Sequence, residues 1–215
     1  MYRDQRNYEN LNRAKFIGAG AFDIPRILAE VPAMPQSWIG FNYAKSCKDP
    51  ANKAVHFFVD DYQFNRLWTN PDAYLDMLRR FKAVCTPDFS TYTDFPKAVQ
   101  IWNHYRKHWL GAYWQGNGIT VIPTISWSDE SSFEWCFDGE PVGGAVAVSS
   151  VGTQLNKRAA ELFRLGYDEM LRRLNPSTIY FYGLVPEGIS GPIVHVAAFQ
   201  EQIKARTTKP KESVV

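Results

Sequence analysis

The stretch ITVIPTISWSDESSFEW, residues 119–135, decides the predicted fold. Its first half is apolar and rich in β-branched residues, a pattern typical of a buried strand. At Trp127 it breaks into serine and acidic residues, and a helix-like run follows. We therefore predict a strand over residues 119–127, polar side chains at its end, and a short helix over residues 129–137.

The same order of strand, polar loop and helix recurs on both sides of this stretch. Strands are predicted over residues 37–42, 55–59, 83–85, 145–148, 178–182 and 194–199, and helices over 71–81, 96–114 and 156–174. Such alternation is typical of βα units on a mainly parallel sheet. Because acidic residues follow several successive strands, we expect a compact or incomplete TIM-barrel-like α/β fold, with an open doubly wound sheet as the alternative. Both architectures place a site at the carboxyl ends of the strands.

Composition and length fit one α/β domain. The 215 residues leave room for one large core, and an apolar fraction of 45% exceeds that of a disordered chain. Three prolines before residue 36 prevent a long helix there. We expect an irregular segment over residues 1–36, a single α/β domain over 37–203 and a basic flexible tail over 204–215.

Charge and cysteine usage limit the possible settings. A formal charge of +2 produces no global field for wrapping nucleic acid. The three cysteines form no C-x-x-C pair, which argues against a disulfide framework or a four-cysteine zinc site, and we expect Cys85 and Cys136 to be buried. The first ten residues are polar, and no run approaches eighteen apolar residues, so we expect a cytoplasmic protein without a membrane span.

Four runs, three of them rich in tryptophan and other aromatic residues, carry a family resemblance. They are VHFFVDDYQFNRLW (55–68), AVQIWNHYRKHWLGAYWQ (98–115), VIPTISWSDESSFEWCFDG (121–139) and VAVSSVGTQ (146–154). Together they resemble the phage- and mobile-element-encoded proteins known as domain of unknown function 4417, over roughly residues 37–186. The resemblance implies a bacterial or phage cytoplasmic setting, and it assigns no role to any residue.

Acidic residues follow several predicted strands. The candidates for catalysis are Asp60, Asp61, Asp88, Asp129 and Glu130. Carboxylates that share one rim of a parallel sheet cannot all stay ionised without a cation or raised pKa values, so such a cluster indicates divalent-cation binding or acid–base chemistry. The competing interpretation is that each acid caps a helix, a role that suits Asp129.

Other polar and aromatic residues at the same rim are candidates for ligand binding. They are Trp127, Ser149, Ser150, Tyr182 and Glu187. A tryptophan at the mouth of the rim could stack on a base or a sugar, although core packing is the commoner fate of such a residue. The small residues 149–153 could present hydroxyls and amides to an anion at a helix N-terminus.

The helix predicted over residues 96–114 places His104 and His108 one turn apart on one face. Two such histidines can chelate a metal, but the zinc-protease motif requires a glutamate after the first histidine, and Tyr105 stands there. A packing or surface role is therefore the stronger interpretation, and contact with an anion or a nucleic acid is the other alternative. Five basic residues, Arg79, Arg80, Lys82, Arg106 and Lys107, could form a basic patch, although a solvated helix face is the usual explanation.

These patterns favour a hydrolase that acts on a phosphoester, a nucleotide or a nucleic acid, with a divalent cation as a candidate cofactor. The alternative hypothesis is a non-catalytic protein that captures a host protein or a nucleotide with the same rim.

Overall fold

A short hairpin precedes the main strands. The computed structural model describes residues 9–201 and residue 203, so the tail predicted over 204–215 lies outside the described residues. Strands β1 (Gly18–Ala19) and β2 (Ile24–Pro25) pair antiparallel. The segment expected to be irregular therefore contains a small ordered element.

The body contains parallel strands that follow one another in chain order. They are β3 (Ser37–Gly40), β4 (Lys53–His56), β5 (Ala83–Cys85), β6 (Val121–Ile122), β7 (Ala145–Ser149), β8 (Thr178–Tyr182) and β9 (Ile193–Val196). Strands β3 to β6 form a four-stranded sheet, and β7 to β9 form a three-stranded sheet. Each strand in the two sheets pairs with its neighbour in sequence, so the prediction of mainly parallel βα units is confirmed.

The two sheets meet along a narrow seam. Thr124 and Ala147 form an isolated parallel bridge, Ile125 N–H donates to the Ala147 carbonyl at 2.8 Å, and Ala147 N–H donates to the Pro123 carbonyl at 2.8 Å. On the other side, Thr124 N–H donates to Thr86 Oγ1 at 2.8 Å. Strand β6 is thereby connected to both sheets, although little backbone pairing spans the seam.

The opening stretch is less regular than its pattern predicts. The strand predicted over residues 119–127 covers only Val121–Ile122, because Pro123 has no N–H with which to continue the ladder. The helix predicted over 129–137 is a 3₁₀ turn, Glu130–Glu134. The polar residues still follow the end of a strand, as expected.

Helices connect the strands. They are α1 (Phe41–Ala44), α2 (Arg66–Thr69), α3 (Leu75–Leu78), α4 (Lys97–Gly116) and α5 (Lys157–Leu174), with 3₁₀ turns at Asp61–Gln63 and Pro71–Tyr74. Helix α5 begins after Asn156, whose side chain accepts a hydrogen bond from Ala159 N–H at 2.9 Å. It ends at Asn175, which adopts a left-handed conformation with φ of 41°.

One face of the three-stranded sheet packs on α5. Phe163, Tyr167 and Met170 of α5 form a buried cluster with Val146 of β7 and Phe181 of β8. Alternate residues of a strand point to opposite faces, so the neighbours of Val146 and Phe181 along their strands face away from this helix. Helix α5 therefore packs against β7 close to the carboxyl end of that strand, where the small polar residues begin.

The opposite face carries small residues and large rings. Ala147 of β7 lies buried there, and Ala54 of β4 in the four-stranded sheet belongs to the same buried cluster. The Trp38 ring of β3 lies 4.9 Å from Tyr180 of β8, centroid to centroid, and the rings of His56 and Tyr182 are 4.6 Å apart. Strands β3 and β4 of the four-stranded sheet therefore contact β8 of the three-stranded sheet through their side chains.

Cys85 and Cys136 are buried thiols, as predicted. Within the described residues, no helix combines the length and the apolar character that crossing a bilayer requires.

Candidate active site

A cleft of about 530 Å³ lies at the carboxyl ends of strands β4 to β7. Residues that follow these strands line it, together with the first turns of α5. Its polar lining consists mainly of hydroxyl groups, from Ser90, Thr91, Tyr92, Thr93, Ser126, Ser128, Ser149 and Thr153. A cavity therefore lies at the edge of the sheet where the site was expected, and three of the predicted residues, Asp88, Trp127 and Ser149, line it. Among the described residues, no lysine or arginine lines it.

Asp88 is the carboxylate that lines this cleft. Protein atoms surround the side chain densely, although part of the residue stays open to the cleft. Burial raises the pKa of Asp88 to about 7, the charge of Asp61 adds to this effect, and the ammonium of Lys107 opposes it. Near neutral pH the carboxyl group is therefore divided between its protonated and ionised forms, which suits a group that both accepts and donates a proton.

Asp61 holds the loop that carries Asp88. Its carboxylate accepts hydrogen bonds from Ser90 N–H at 3.1 Å and from the Ser90 hydroxyl at 2.9 Å. The neighbouring Asp60 is exposed and does not line the cleft. Of these two predicted acids, the structure brings Asp61 close to Asp88 and leaves Asp60 in solvent.

Trp127 forms a rigid wall of the cleft. Its indole N–H donates to the Leu162 carbonyl at 3.0 Å, and its ring lies 5.4 Å from that of Phe163. A Cβ atom at Gly166 would come within 2.2 Å of the indole ring, so only a glycine permits this contact with α5. Trp127 thus has a packing role and still presents surface to the cleft.

The two serines after β7 have different environments. Ser149 lines the cleft, and its hydroxyl oxygen accepts a hydrogen bond from Val151 N–H at 3.1 Å. Its hydroxyl proton therefore remains available to a ligand. Ser150 is buried and donates to the Leu184 carbonyl at 2.6 Å, outside the cleft lining.

Asp129 and Glu130 lie outside the lining of the cleft. The Asp129 carboxylate accepts from Ser131 N–H at 3.0 Å and caps the following 3₁₀ turn, and the hydrogen bond from the Ser131 hydroxyl is the main cause that lowers its pKa. Glu130 is exposed and pairs with Arg158 at 3.1 Å. No three of the five predicted acids converge within the described part of the chain.

Tyr182 and Glu187 are also separate from the cleft lining. The Tyr182 ring is buried and stacks on Phe58, a cleft residue, at 4.7 Å, and its hydroxyl accepts a hydrogen bond from Phe199 N–H at 3.1 Å. Glu187 is exposed. Tyr182 therefore supports the cleft from below, whereas Glu187 does not contribute to it.

Behind the cleft lies a buried polar cluster centred on Lys107 of α4. Its ammonium donates to the Thr124 carbonyl at 2.8 Å and to Glu140 Oε1 at 2.7 Å. His108 and His104 are buried beside it. Burial raises the pKa of Glu140, but the charges of Lys107 and His108 outweigh this and hold it below its ordinary value. The solvated basic face expected at Lys107 is therefore wrong for this residue.

The sequence interpretation missed Glu140 and the buried state of Lys107. Glu140 follows Asp138 and Gly139 at the end of a predicted helix, where an acidic residue is usually solvated. The available signal was a lysine between two histidines on a helix whose other faces carry tryptophans. A helix with that composition is buried on most sides, and its charged residues then require buried partners.

Comparisons with known proteins identify a matching family model and similar phage proteins. A family model described as domain of unknown function (DUF4417) matches residues 16–200. The Gene 1 protein of Mycobacterium phage L5 is 43% identical over 176 residues, which cover 80% of this chain and 75% of that protein. The Gene 1 protein of Mycobacterium phage D29 is 40% identical over 173 residues, which cover 80% of this chain and 64% of that protein. No solved structure matches the chain.

Proposed function

The chain belongs to the family described as domain of unknown function DUF4417, in agreement with its tryptophan-rich motifs, and from this premise we propose that it is a hydrolase of nucleotides or nucleic acids. The observation that carries the proposal is the position of Asp88, which lines a cleft rich in hydroxyl groups beside Trp127 and whose pKa is raised by burial to about 7. Strongly perturbed acids in clefts are typical of catalytic groups.

Asp88 would act as the proton-transfer group. In its ionised form it accepts a proton from a water molecule that attacks the substrate. The protonated carboxyl then returns that proton to the leaving group, so the enzyme ends each cycle unchanged. Asp61 supports this role because it fixes Ser90, two residues after Asp88, and its negative charge helps to hold the pKa of Asp88 near neutrality.

The lining indicates how the substrate is recognised. Trp127 offers a flat surface for a base, and the hydroxyl groups of Ser149 and Thr153 can bind sugar hydroxyls. Because no lysine or arginine in the described part of the chain lines the cleft, recognition through the base and the sugar is favoured over recognition through a phosphoester alone.

We also propose an incomplete α/β barrel as the architecture. The parallel strands follow the chain order from β3 to β9 without the reversal that a doubly wound sheet requires, and ring contacts join β3 and β4 to β8. Active sites of such barrels lie at the carboxyl ends of the strands, where the cleft is. The domain would span residues 37–203, and the phage relatives favour the cytoplasm of an infected bacterium as its setting.

The test is an activity screen of the full chain with a matched pair of variants. Nucleosides, nucleotides and short oligonucleotides are incubated with the wild type, Asp88→Asn and Asp129→Asn, and the products are separated by chromatography. Asp129 is the matched control because it is an acid after the adjacent strand that caps a turn outside the cleft.

We expect turnover by the wild type and by Asp129→Asn, and a loss of at least a hundredfold in Asp88→Asn, the range of general acid–base catalysis. Equal turnover by Asp88→Asn and the wild type would refute the assignment of Asp88. An absence of product from every substrate would refute the hydrolase proposal.

A second candidate function is capture of a nucleotide without chemistry. The observation that favours it is the fixed position of Trp127, which is held by Leu162 and Gly166 as a preformed stacking surface. In that case a nucleotide would raise the melting temperature of the wild type and would be recovered unchanged after incubation.

A further inference from the structure

Three metal-ligating side chains meet in the buried cluster behind the cleft. His104 and His108 lie one turn apart on α4, and Glu140 reaches them from the segment after the 3₁₀ turn Glu130–Glu134. One ligand atom from each of the three lies within 4.8 Å of the others, and all three residues are buried. The geometry gathers two nitrogen donors and one carboxylate around one point.

Backbone carbonyls orient both imidazole rings. His108 Nδ1 lies 2.9 Å from the Pro25 carbonyl oxygen, and His104 Nε2 lies 3.1 Å from the Asp138 carbonyl oxygen. A carbonyl only accepts, so each of these nitrogens carries a proton and donates it. The other nitrogen of each ring, Nδ1 of His104 and Nε2 of His108, is the one that could ligate a metal, and a proton or a cation must separate His108 Nε2 from Glu140 Oε1, which lies 2.9 Å away. Metal-binding histidines are oriented in this way, through a hydrogen bond from the second ring nitrogen.

The Glu140 carboxylate is not satisfied by its protein partners. Its Oε1 lies 2.9 Å from His108 Nε2 and accepts from Lys107 at 2.7 Å. Its Oε2 is buried and has no hydrogen-bond partner among the residues that the structure describes. A buried carboxylate oxygen without a partner is costly, and a cation beside it would remove that cost.

We propose that His104, His108 and Glu140 bind one divalent transition-metal ion, with zinc favoured by the two imidazole donors and one carboxylate donor. Lys107 keeps its hydrogen bond to Glu140 and acts as the outer partner of the ligating carboxylate. The ion would join three parts of the chain, namely the hairpin that supplies Pro25, helix α4 and the segment at residues 138–140. Its role is structural, and it is independent of the proposed hydrolase activity.

The nearby acids partly offset the charge of such an ion. Glu140 supplies one carboxylate to it, and the ammonium of Lys107, which pairs with Glu140, also interacts with Asp88 of the cleft. The competing arrangement has a proton in place of the ion, so that His108 donates from both nitrogens and pairs with Glu140. The two arrangements differ in whether metal is bound, which can be measured directly.

The first measurement uses the full wild-type chain. The protein is stripped with a chelator, re-equilibrated with excess zinc and desalted, and its metal content is determined by mass spectrometry. We expect one zinc per chain, and a melting temperature that rises with zinc and falls again with chelator. Less than a tenth of an equivalent of zinc, with a melting temperature that does not respond to chelator, would overturn the proposal.

The second measurement compares variants by zinc competition with a chromophoric chelator. His104→Gln should bind zinc at least tenfold more weakly than the wild type, whereas His195→Gln should bind it as the wild type does. His195 is the control because it is a half-exposed histidine on β9, outside the cluster. Cobalt in the wild type reports the site without any mutation, through the visible absorption of a low-coordinate nitrogen and oxygen site. Zinc affinity unchanged in His104→Gln, or cobalt with only the spectrum of the hydrated ion, would overturn the assignment.

Discussion

Replacing Asp88 by asparagine should remove a pH-dependent cost to folding. In the native state the pKa of Asp88 is about 7, whereas its ordinary value is 3.8. The folded protein therefore binds this proton more tightly than the unfolded chain does. Between these two pKa values the stability of the wild type must fall as the pH rises, because folding retains a proton that the unfolded chain releases.

The size of the effect follows from the two pKa values. Each pKa unit is worth about 1.4 kcal/mol, so the full cost above pH 7 is about 4 kcal/mol. Between pH 5 and pH 8 the wild type should lose about 2.5 kcal/mol relative to Asp88→Asn, and access of water to the cleft makes this figure an upper bound. Asparagine has nearly the same shape and does not titrate, so the variant isolates this group.

The assay is urea unfolding of both proteins at pH 5 and pH 8, followed by tryptophan fluorescence. Other groups titrate equally in the two proteins, so the difference between their two pH responses reports Asp88. We expect Asp88→Asn to be more stable than the wild type at pH 8 and to have lost the activity that we propose. An identical pH response in the two proteins would refute a raised pKa at Asp88, and with it the main support for acid–base chemistry in the cleft.

Three further predictions concern packing and buried charge. Gly166→Ala should destabilise the protein by about 1–3 kcal/mol, because its Cβ would come within 2.2 Å of the Trp127 ring. Urea unfolding checks this, with Gly116→Ala as the control because a Cβ there would meet no neighbouring atom within 4 Å. Lys107→Met should lower the free energy of unfolding by about 3–5 kcal/mol, because it leaves Glu140 buried without its ammonium partner. The double variant with Glu140→Gln should lose less stability than the sum of the losses in the two single variants. Burial lowers the pKa of His56 to about 4, below its ordinary value of 6.5, so the folded protein disfavours the protonated ring. The free energy of unfolding is therefore unaffected by His56 above pH 6.5 and falls as the pH drops toward 4. His56→Gln should flatten the pH dependence of the unfolding free energy in that range, and an unchanged dependence would contradict this prediction.

The positions of the strands could be predicted because they depend on local pattern. Runs such as 178–182 are apolar, are bounded by turn residues and form strands where the pattern predicts them. The strand over 119–127 was predicted too long because the apolar run continues through Pro123 and hides the missing donor. Hydrophobic pattern identifies a strand, but backbone hydrogen bonding determines its length.

The candidate site could be predicted only as a region. Acids after successive strands were expected to meet, yet Asp129 caps its own turn through Ser131 and Glu130 pairs with Arg158. The path of each loop decides which acid faces the cleft, and that path depends on contacts such as Asp61 with Ser90, which are distant in sequence. Glu140 is 32 residues from His108, so no local spacing could have joined them.

The seam at Thr124 has a mechanical consequence for the cleft. Asp88 belongs to the four-stranded side of the seam and Ser149 to the three-stranded side, so the cleft spans the line along which a single bridge and two backbone hydrogen bonds join the two sheets. A small rotation about this line would act as a hinge and would change the aperture between Asp88 and Ser149 while both sheets stay intact. A ligand that contacts both sides would restrict this rotation. Amide hydrogen exchange at Ile125 and Ala147, whose N–H groups bond across the seam, would therefore slow when the ligand binds.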